Sequence, residues 1–165
     1  MTDSSPHNLN HPRQPVIISI LLYVEKNPPP LPLGSQGLLL LDSAQCTISD
    51  SEIQGMHIGI VASEGSQAKI VRPRVYHMAA GGVVIRGKGT KVTCVEAEIF
   101  GNSAAGIEVA DGANAALVEN SIQNNGGPGV LVQANCYGSM ARNNVIENTG
   151  GKVVSHAHER KFVIG

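Results

Sequence analysis

Carboxyl and guanidinium side chains recur along this chain in two series with intervals of 22 to 24 residues. The first series is Asp50, Arg72, Glu96, Glu119 and Arg142, and the second, two residues further on, is Glu52, Arg74, Glu98, Ser121 and Asn144. Carboxylates can act as general acids or bases or bind calcium, and a guanidinium group can hold a sugar carboxylate. The two series therefore predict either a groove for a charged polysaccharide or a solvated face on which opposite charges pair between repeats.

Six residues of this region are candidate catalytic residues. Glu96 and Glu119 are like charges at consecutive positions of the first series, and such a pair can raise one carboxyl pKa, as a general acid requires. The string RPRVYH puts guanidinium, phenol and imidazole groups in one repeat. Its four chemically active side chains are also candidate catalytic residues: Arg72, Arg74, Tyr76 and His77. A histidine beside a tyrosine is more often structural, so that alternative stays open.

Two histidines near the C-terminus, His156 and His158, have a spacing that can bind a transition metal if a third ligand is supplied. The pair is a weak signal, and an exposed polar tail explains the pattern better. We therefore expect no metal and no other cofactor.

A repeat of about 23 residues must position the candidate residues. Glycines at 37, 59, 82, 106 and 129 each begin an apolar stretch, and Asn102, Asn125 and Asn148 recur 23 residues apart in a turn. Apolar residues alternate with period two and show no helical period, which predicts short β-strands. A repeat in the twenties is typical of a solenoid, in which each repeat is one coil of a stack. Asparagines stacked at one turn can hydrogen-bond along such a stack.

The composition limits the classes of function. The 165 residues include 19 glycines, two phenylalanines, three tyrosines and no tryptophan, so the core must be mainly aliphatic. A net charge of −1 and a pI near 6.6 argue against a nucleic-acid partner, because such surfaces normally have a basic excess.

The cysteines and the apolar N-terminal segment bear on the compartment. Cys46, Cys94 and Cys136 are odd in number and lack a paired spacing, so we expect reduced thiols, which favours a reducing compartment. Residues 16–24 are apolar but shorter than the roughly 20 residues that a membrane-spanning helix needs. No small-residue cleavage site follows them, so we expect neither a membrane span nor a signal peptide, and the localisation stays unknown.

Three segments are predicted. Residues 1–14 are polar and predict a disordered arm. Residues 15–36 predict an N-terminal cap with a proline-rich connector, PPPLP. Residues 37–165 contain five full repeats and a partial sixth, and they predict the solenoid domain.

The repeats resemble a known superfold. The segments GVVI (82–85), AEIFGNSAAGIEV (97–109) and VENSIQNNGGPGVLV (118–132) are similar to PbH1-type repeats of the pectate-lyase-like superfold. They look most like the short coils of carbohydrate-binding and sugar-hydrolase domains and of β-helix F-box proteins. The resemblance covers about residues 37–155 and implies an all-β, right-handed, single-stranded parallel β-helix of five to six coils with an N-terminal cap. Because this superfold includes lyases, hydrolases, epimerases, tailspikes and interaction domains, it implies no single function.

The catalytic patterns of the superfold are missing. Aspartates occur only at positions 3, 42, 50 and 111, without the cluster that holds calcium in pectate lyases. The Asp-Asp and Gly-His-Gly patterns of polygalacturonases and the Asp-Pro-His motif of alginate epimerases are also absent. The nearly uniform repeats leave no long loop to wall a cleft. These observations favour a non-catalytic function and leave enzymatic activity uncertain.

A third outward series is largely apolar: Leu39, Val61, Val84, Glu108 and Leu131. An apolar strip on a sheet should not face water. The N-terminal segment covers it, copies of the chain pack there as in the trimers common among parallel β-helices, or the strip lines a groove for another ligand. Its four apolar residues are the predicted interface of a homo-oligomer.

The predicted function is a non-catalytic assembly or recognition module. It self-associates through the apolar strip and presents a polar face to carbohydrate or to another protein. Two alternatives stay open: a structural component of a fibre or virus particle, and a small polysaccharide-active lyase, hydrolase or epimerase.

Overall fold

The computed structural model describes the backbone of residues 16–18 and the full residues 34–157 and 161–165, and all regular elements in these ranges are β-strands. In chain order the strands are β1 (Val16–Ile18), β2 (Gln36–Leu40), β3 (Gln45–Ser49), β4 (Glu52–Gln54), β5 (Ile58–Ala62), β6 (Gln67–Val71), β7 (Arg74–Tyr76), β8 (Val83–Arg86), β9 (Lys91–Val95), β10 (Glu98–Phe100), β11 (Ile107–Ala110), β12 (Asn114–Val118), β13 (Ser121–Gln123), β14 (Val130–Val132), β15 (Tyr137–Ala141), β16 (Asn144–Ile146), β17 (Val153–Ser155) and β18 (Phe162–Ile164). Within these ranges no helix is long and apolar enough to cross a membrane.

The strands form three parallel sheets, and each coil contributes one strand to each sheet in turn. Sheet 1 has the order β2-β5-β8-β11-β14-β17, sheet 2 the order β1-β3-β6-β9-β12-β15-β18, and sheet 3 the order β4-β7-β10-β13-β16. Equivalent residues of successive coils pair directly, as Glu98 does with Arg74 on one side and Ser121 on the other. The chain is thus a parallel β-solenoid of about five coils, as predicted.

The core consists of stacked aliphatic side chains. In sheet 2 the inward column is Cys46/Ile48, Ala68/Ile70, Val92/Cys94, Ala115/Leu117 and Met140, and in sheet 3 it is Ile53, Val75, Ile99, Ile122 and Val145, all of them buried. These are the inward positions that period-two alternation predicts. Burial raises the pKa of the Cys94 thiol to about 12. All three cysteines are free and buried, and Cys136 lies in the core alongside the two that were predicted to point inward.

The repeated glycine is required by close packing at the start of each sheet 1 strand. A Cβ added to Gly106 would lie 2.6 Å from Cγ2 of Ile122 and 2.7 Å from the carbonyl oxygen of Gly129 in the next coil. At Gly59 the equivalent distances, to Val75 and to Gly82, are 2.4 and 2.5 Å. Real Cβ atoms do not come this close, so the repeated glycine marks a place where each coil lies too near its neighbour for a side chain.

Two ladders of buried and half-buried asparagines tie the coils together at the ends of the sheet 3 strands. In the first, Asn125 Oδ1 accepts from the backbone N–H and from Nδ2 of Asn102, and Asn148 Oδ1 does the same for Asn125. This is the ladder that the 23-residue spacing predicted. In the second, Asn143 Oδ1 accepts from the N–H and Nδ2 of Asn120. Sequence reasoning missed this second ladder, although Asn120 and Asn143 are also 23 residues apart.

Both ends of the stack carry additional strands. Strand β1 pairs with β3 at one edge of sheet 2, within the segment predicted as a cap. At the other end, β17 and β18 supply a sixth coil to sheets 1 and 2. The buried Phe162 of β18 pairs with Gly138 of β15, the position at which the inward column of sheet 2 has no side chain. The predicted arm at residues 1–14 and most of the predicted connector lie outside the described residues, so the three-segment division stays a prediction.

Candidate functional site

The two charged series lie side by side on one surface of the solenoid, which we call the charged face. Asp50, Arg72, Glu96, Glu119 and Arg142 occupy the corner between sheets 2 and 3, and Glu52, Arg74, Glu98, Ser121 and Asn144 begin the sheet 3 strands. In-register pairing of the sheet 3 strands places each member of the second series above its counterpart in the next coil. The sequence therefore placed these residues together correctly.

Ion pairs link successive coils along the charged face. Arg72 binds Asp50 with two contacts, Nε to Oδ1 at 2.7 Å and Nη2 to Oδ2 at 3.0 Å. This hydrogen bond from Arg72 is the main reason that the pKa of Asp50 is lowered. Arg142 Nε lies 2.6 Å from Glu119 Oε1. These pairs are solvent-exposed and so add little stability, but they fix the direction of each charged group.

Arg74 lies between two carboxylates, those of the coils on either side. Its Nε is 3.0 Å from Oε2 of Glu98, and its Nη1 is 3.6 Å from Oε1 of Glu52. Its guanidinium carbon also lies 5.4 Å from the ring centroid of Tyr76 and 5.7 Å from that of Phe100, within cation–π range. Arg74 therefore contacts carboxylates and aromatic rings at the same time.

The first charged series shares an unusual backbone conformation. All five of its residues have φ between 48° and 57°, in the left-handed region that non-glycine residues seldom adopt. Local strain of this kind can mark an active site. Here it recurs in every coil, so it is a property of the corner, where the chain turns from sheet 2 to sheet 3, and it does not single out Glu96 or Glu119 as catalysts.

An aromatic cluster lies beside the charged face on sheet 3. The rings of Tyr76 and Phe100 are parallel, with centroids 4.9 Å apart and an interplanar angle of 3°, and the His77 ring meets Tyr76 edge-on at 5.0 Å. The Tyr76 hydroxyl donates a hydrogen bond to the Glu52 carboxylate, which raises the pKa of Tyr76. Tyr76 and His77 were predicted, but Phe100 was missed, although it stands at the position of Tyr76 in the next coil.

A shallow cleft of about 300 Å³ opens on the far side of the Phe100 ring. It is lined by Arg74, Glu98, Phe100, Ser121 and Gln123. An aromatic ring, an amide, a hydroxyl and two charged groups thus line one concave spot, which is more polar than most small-molecule sites.

Comparison with protein families settles the class of the fold. A family model described as a right-handed β-helix region matches residues 34–164. The chain belongs to the right-handed β-helix family. This confirms the predicted fold class and the resemblance from which its handedness came. Comparisons with curated proteins and with solved structures returned no match.

The apolar strip of this right-handed β-helix lies on the outer surface of sheet 1. Strand pairing aligns Leu39, Val61, Val84, Glu108 and Leu131 as predicted and extends the row to Val154. Their environments differ, because Leu39 is 45% exposed whereas Val61 is 2% exposed. Glu108 interrupts the row, and its Oε1 accepts a hydrogen bond of 2.6 Å from Nε2 of Gln133. That the strip is an interface stays a prediction.

The proposed histidine pair of the β-helix is only partly described. His156 is exposed, whereas His158 lies outside the described residues. In the ranges that the structure covers, no three His, Cys, Asp or Glu side chains are grouped closely enough to hold a metal ion.

Proposed function

We propose that this β-helix is a non-catalytic recognition module that binds a saccharide in the cleft beside Phe100. The observation that carries the proposal is the half-buried ring of Phe100, stacked on Tyr76 and bordered by Gln123, Ser121 and Glu98. One face of a pyranose ring carries C–H groups that pack on an aromatic ring, and its hydroxyl groups exchange hydrogen bonds with amides and carboxylates. The cleft offers both kinds of contact.

The pairing of the charged groups supports a binding function over catalysis. A general acid must keep its proton near neutral pH, and a carboxylate in an ion pair with a guanidinium group is a poor proton donor. Of the two candidate acids, Glu119 is engaged in this way by Arg142, whereas Glu96 has no ion pair among the described residues but is exposed at the corner, where nothing encloses a reacting bond. Short coils also leave the cleft shallow and open to water, whereas hydrolases and lyases usually enclose the reacting bond.

The saccharide proposal predicts that Phe100→Ser weakens glycan binding by about 10-fold or more. The substitution removes the ring on which the sugar packs, and stacking of this kind is worth about 0.5–1.5 kcal/mol beyond buried area. Binding would be measured on a glycan array and then by calorimetry with the best ligand. Tyr137→Ser is the matched control, because Tyr137 is an exposed aromatic residue on sheet 2. Wild-type protein that binds no glycan, or equal binding by both variants, would contradict the proposal.

We also propose that the β-helix self-associates through the apolar strip on sheet 1. Five of the six residues in this row are aliphatic, and they stand on six consecutive hydrogen-bonded strands. Covering such a row stabilises an assembly, because each Å² of apolar surface removed from water contributes about 25 cal/mol.

Val84→Asp is expected to convert the assembly, a trimer or another oligomer, into monomers without unfolding it. The new carboxylate would lie in the middle of the row, where burial against another copy leaves it unpaired. Light scattering coupled to size exclusion would give the molar mass. Val95→Asp changes a half-buried outward valine on sheet 2 and should leave the mass unchanged. A monomeric wild type would show instead that the chain covers its own strip.

A further inference from the structure

We propose that the cleft beside Phe100 selects an uncharged saccharide, and that the ion pair between Arg74 and Glu98 is the element that disfavours charged ones. This inference rests on the proposed saccharide-binding function and specifies the chemical class of the ligand. It differs from the charged polysaccharide that the two series suggest in the sequence, because the charges that line the cleft are paired with each other.

The lining of the cleft carries one positive and one negative charge, and the two groups are in contact. Strand pairing places Glu98 of β10 directly beside Arg74 of β7, and Nε of Arg74 donates to Oε2 of Glu98 at 3.0 Å. The other lining residues, Phe100, Ser121 and Gln123, are uncharged. The formal charge of the lining is therefore zero.

A charged ligand gains little from this pair. Because the two groups are only 3.0 Å apart, a charge in the cleft lies close to both, and its attraction to one is offset by repulsion from the other. Nη1 of Arg74 also lies 3.6 Å from Oε1 of Glu52 in the preceding coil, so a second carboxylate opposes an anionic sugar. An ionised sugar must in addition lose part of its hydration when it packs against Phe100, a cost that a neutral sugar avoids.

The uncharged polar groups of the cleft suit sugar hydroxyls. The side chains of Ser121 and Gln123 are half-buried, and within the described part of the chain they make no hydrogen bond to another residue. The Ser121 hydroxyl and the Gln123 amide each offer both donor and acceptor, as a sugar hydroxyl does. These two side chains can therefore bind neutral hydroxyl groups without breaking a contact within the protein.

The test screens the wild type and Glu98→Gln on an array of glucose, galactose and mannose oligomers together with their uronic acid, sulfated and amino counterparts. The wild type should prefer the uncharged oligomers. Glu98→Gln removes the carboxylate beside Arg74 and leaves a positive lining, so binding of uronic and sulfated oligomers relative to uncharged ones should rise by about 5-fold, the effect of one exposed ion pair. This gain should shrink in high salt, because exposed charges are screened.

Asp50→Asn is the matched control. It also turns the carboxylate of an exposed arginine pair into an amide, since Asp50 Oδ1 lies 2.7 Å from Nε of Arg72, but neither residue lines the cleft. It should keep the wild-type preference.

Three results would each overturn the inference of an uncharged ligand: tighter binding of uronic, sulfated or amino oligomers by the wild type, an unchanged preference in Glu98→Gln, or the same shift in both variants. Binding of a charged oligomer that still depends on Phe100 would leave the proposed function standing. Absence of any glycan binding would remove both.

Discussion

Leu117→Asp is expected to unfold the solenoid. Leu117 is fully buried in the middle of sheet 2, between Cys94 and Met140 of the adjacent coils. The substitution removes an aliphatic side chain and puts a carboxyl group with no partner in the core, which costs roughly 5 kcal/mol or more. The free energy of unfolding of proteins of this size is about 5–15 kcal/mol, so the substitution removes most of it. Thermal unfolding followed by circular dichroism would measure the effect.

The control for this experiment is one residue away. Ala116→Asp introduces the same group at a position that faces outward on the same strand, where it stays hydrated, so its cost should be within about 1 kcal/mol. The damage from Leu117→Asp should also lessen as the pH falls towards about 4, because a buried carboxyl group is tolerated better when it is neutral. If Leu117→Asp melted within a few degrees of the wild type, the inward column of sheet 2 would be misassigned.

The inward columns were predictable because a solenoid repeats its environment. Each coil must present a side chain of similar size to the same neighbours. The residues that follow Gly82 or Gly106 alternate between inward and outward positions, so counting from the glycine gives the direction of each side chain. The glycines themselves mark a contact that no Cβ can enter, less than 3 Å from the next coil. A solenoid and its register therefore follow from spacing, whereas the right-handed β-helix class came from the resemblance to PbH1-type repeats.

The partners of the charged groups were not predictable in the same way. Spacing places Arg72 between Asp50 in one neighbouring coil and Glu96 in the other, and it cannot tell which carboxylate the side chain reaches. The structure joins Arg72 to Asp50 and leaves Glu96 without an ion pair among the described residues. Such a choice depends on side-chain rotamers at a strained corner, which the repeat does not encode.

The Phe100 site was missed for a related reason. Candidate catalysts were sought among titratable groups, and the string RPRVYH drew attention to Tyr76 and His77 within one coil. The cleft depends on a comparison between coils, because Phe100 stacks on Tyr76 from the next one. In a solenoid a binding site runs along a column, so sites are found by reading equivalent positions of successive repeats.

Asn125→Ala is expected to lower the stability by about 3–4 kcal/mol, since it breaks the centre of the buried asparagine ladder. The Asn125 amide accepts from the N–H and Nδ2 of Asn102 at 3.1 and 2.9 Å, and it donates to Ile99 O at 3.3 Å and to Asn148 Oδ1 at 2.8 Å. Alanine would leave buried N–H groups of Asn102 without acceptors. The melting temperature should fall by roughly 10 °C for a chain of this length.

The residues whose hydrogen exchange accelerates in Asn125→Ala show whether the asparagines act as a connected ladder or as independent hydrogen bonds. Hydrogen exchange should accelerate at Asn102 and Met78. The Asn102 side chain loses its hydrogen bond to Asn125 in the variant, and its Oδ1 is the acceptor for the N–H of Met78. Asn114→Ala is the control, since Asn114 is an exposed asparagine that faces outward on sheet 2, and it should change neither melting nor exchange by a comparable amount. If exchange increased only in the coil that contains residue 125, the neighbouring coils would be held in place by packing and backbone pairing. The stacked asparagines would then have no effect beyond their own coil. Faster exchange reaching Met78, two coils away, would show that buried amides transmit order along the stack.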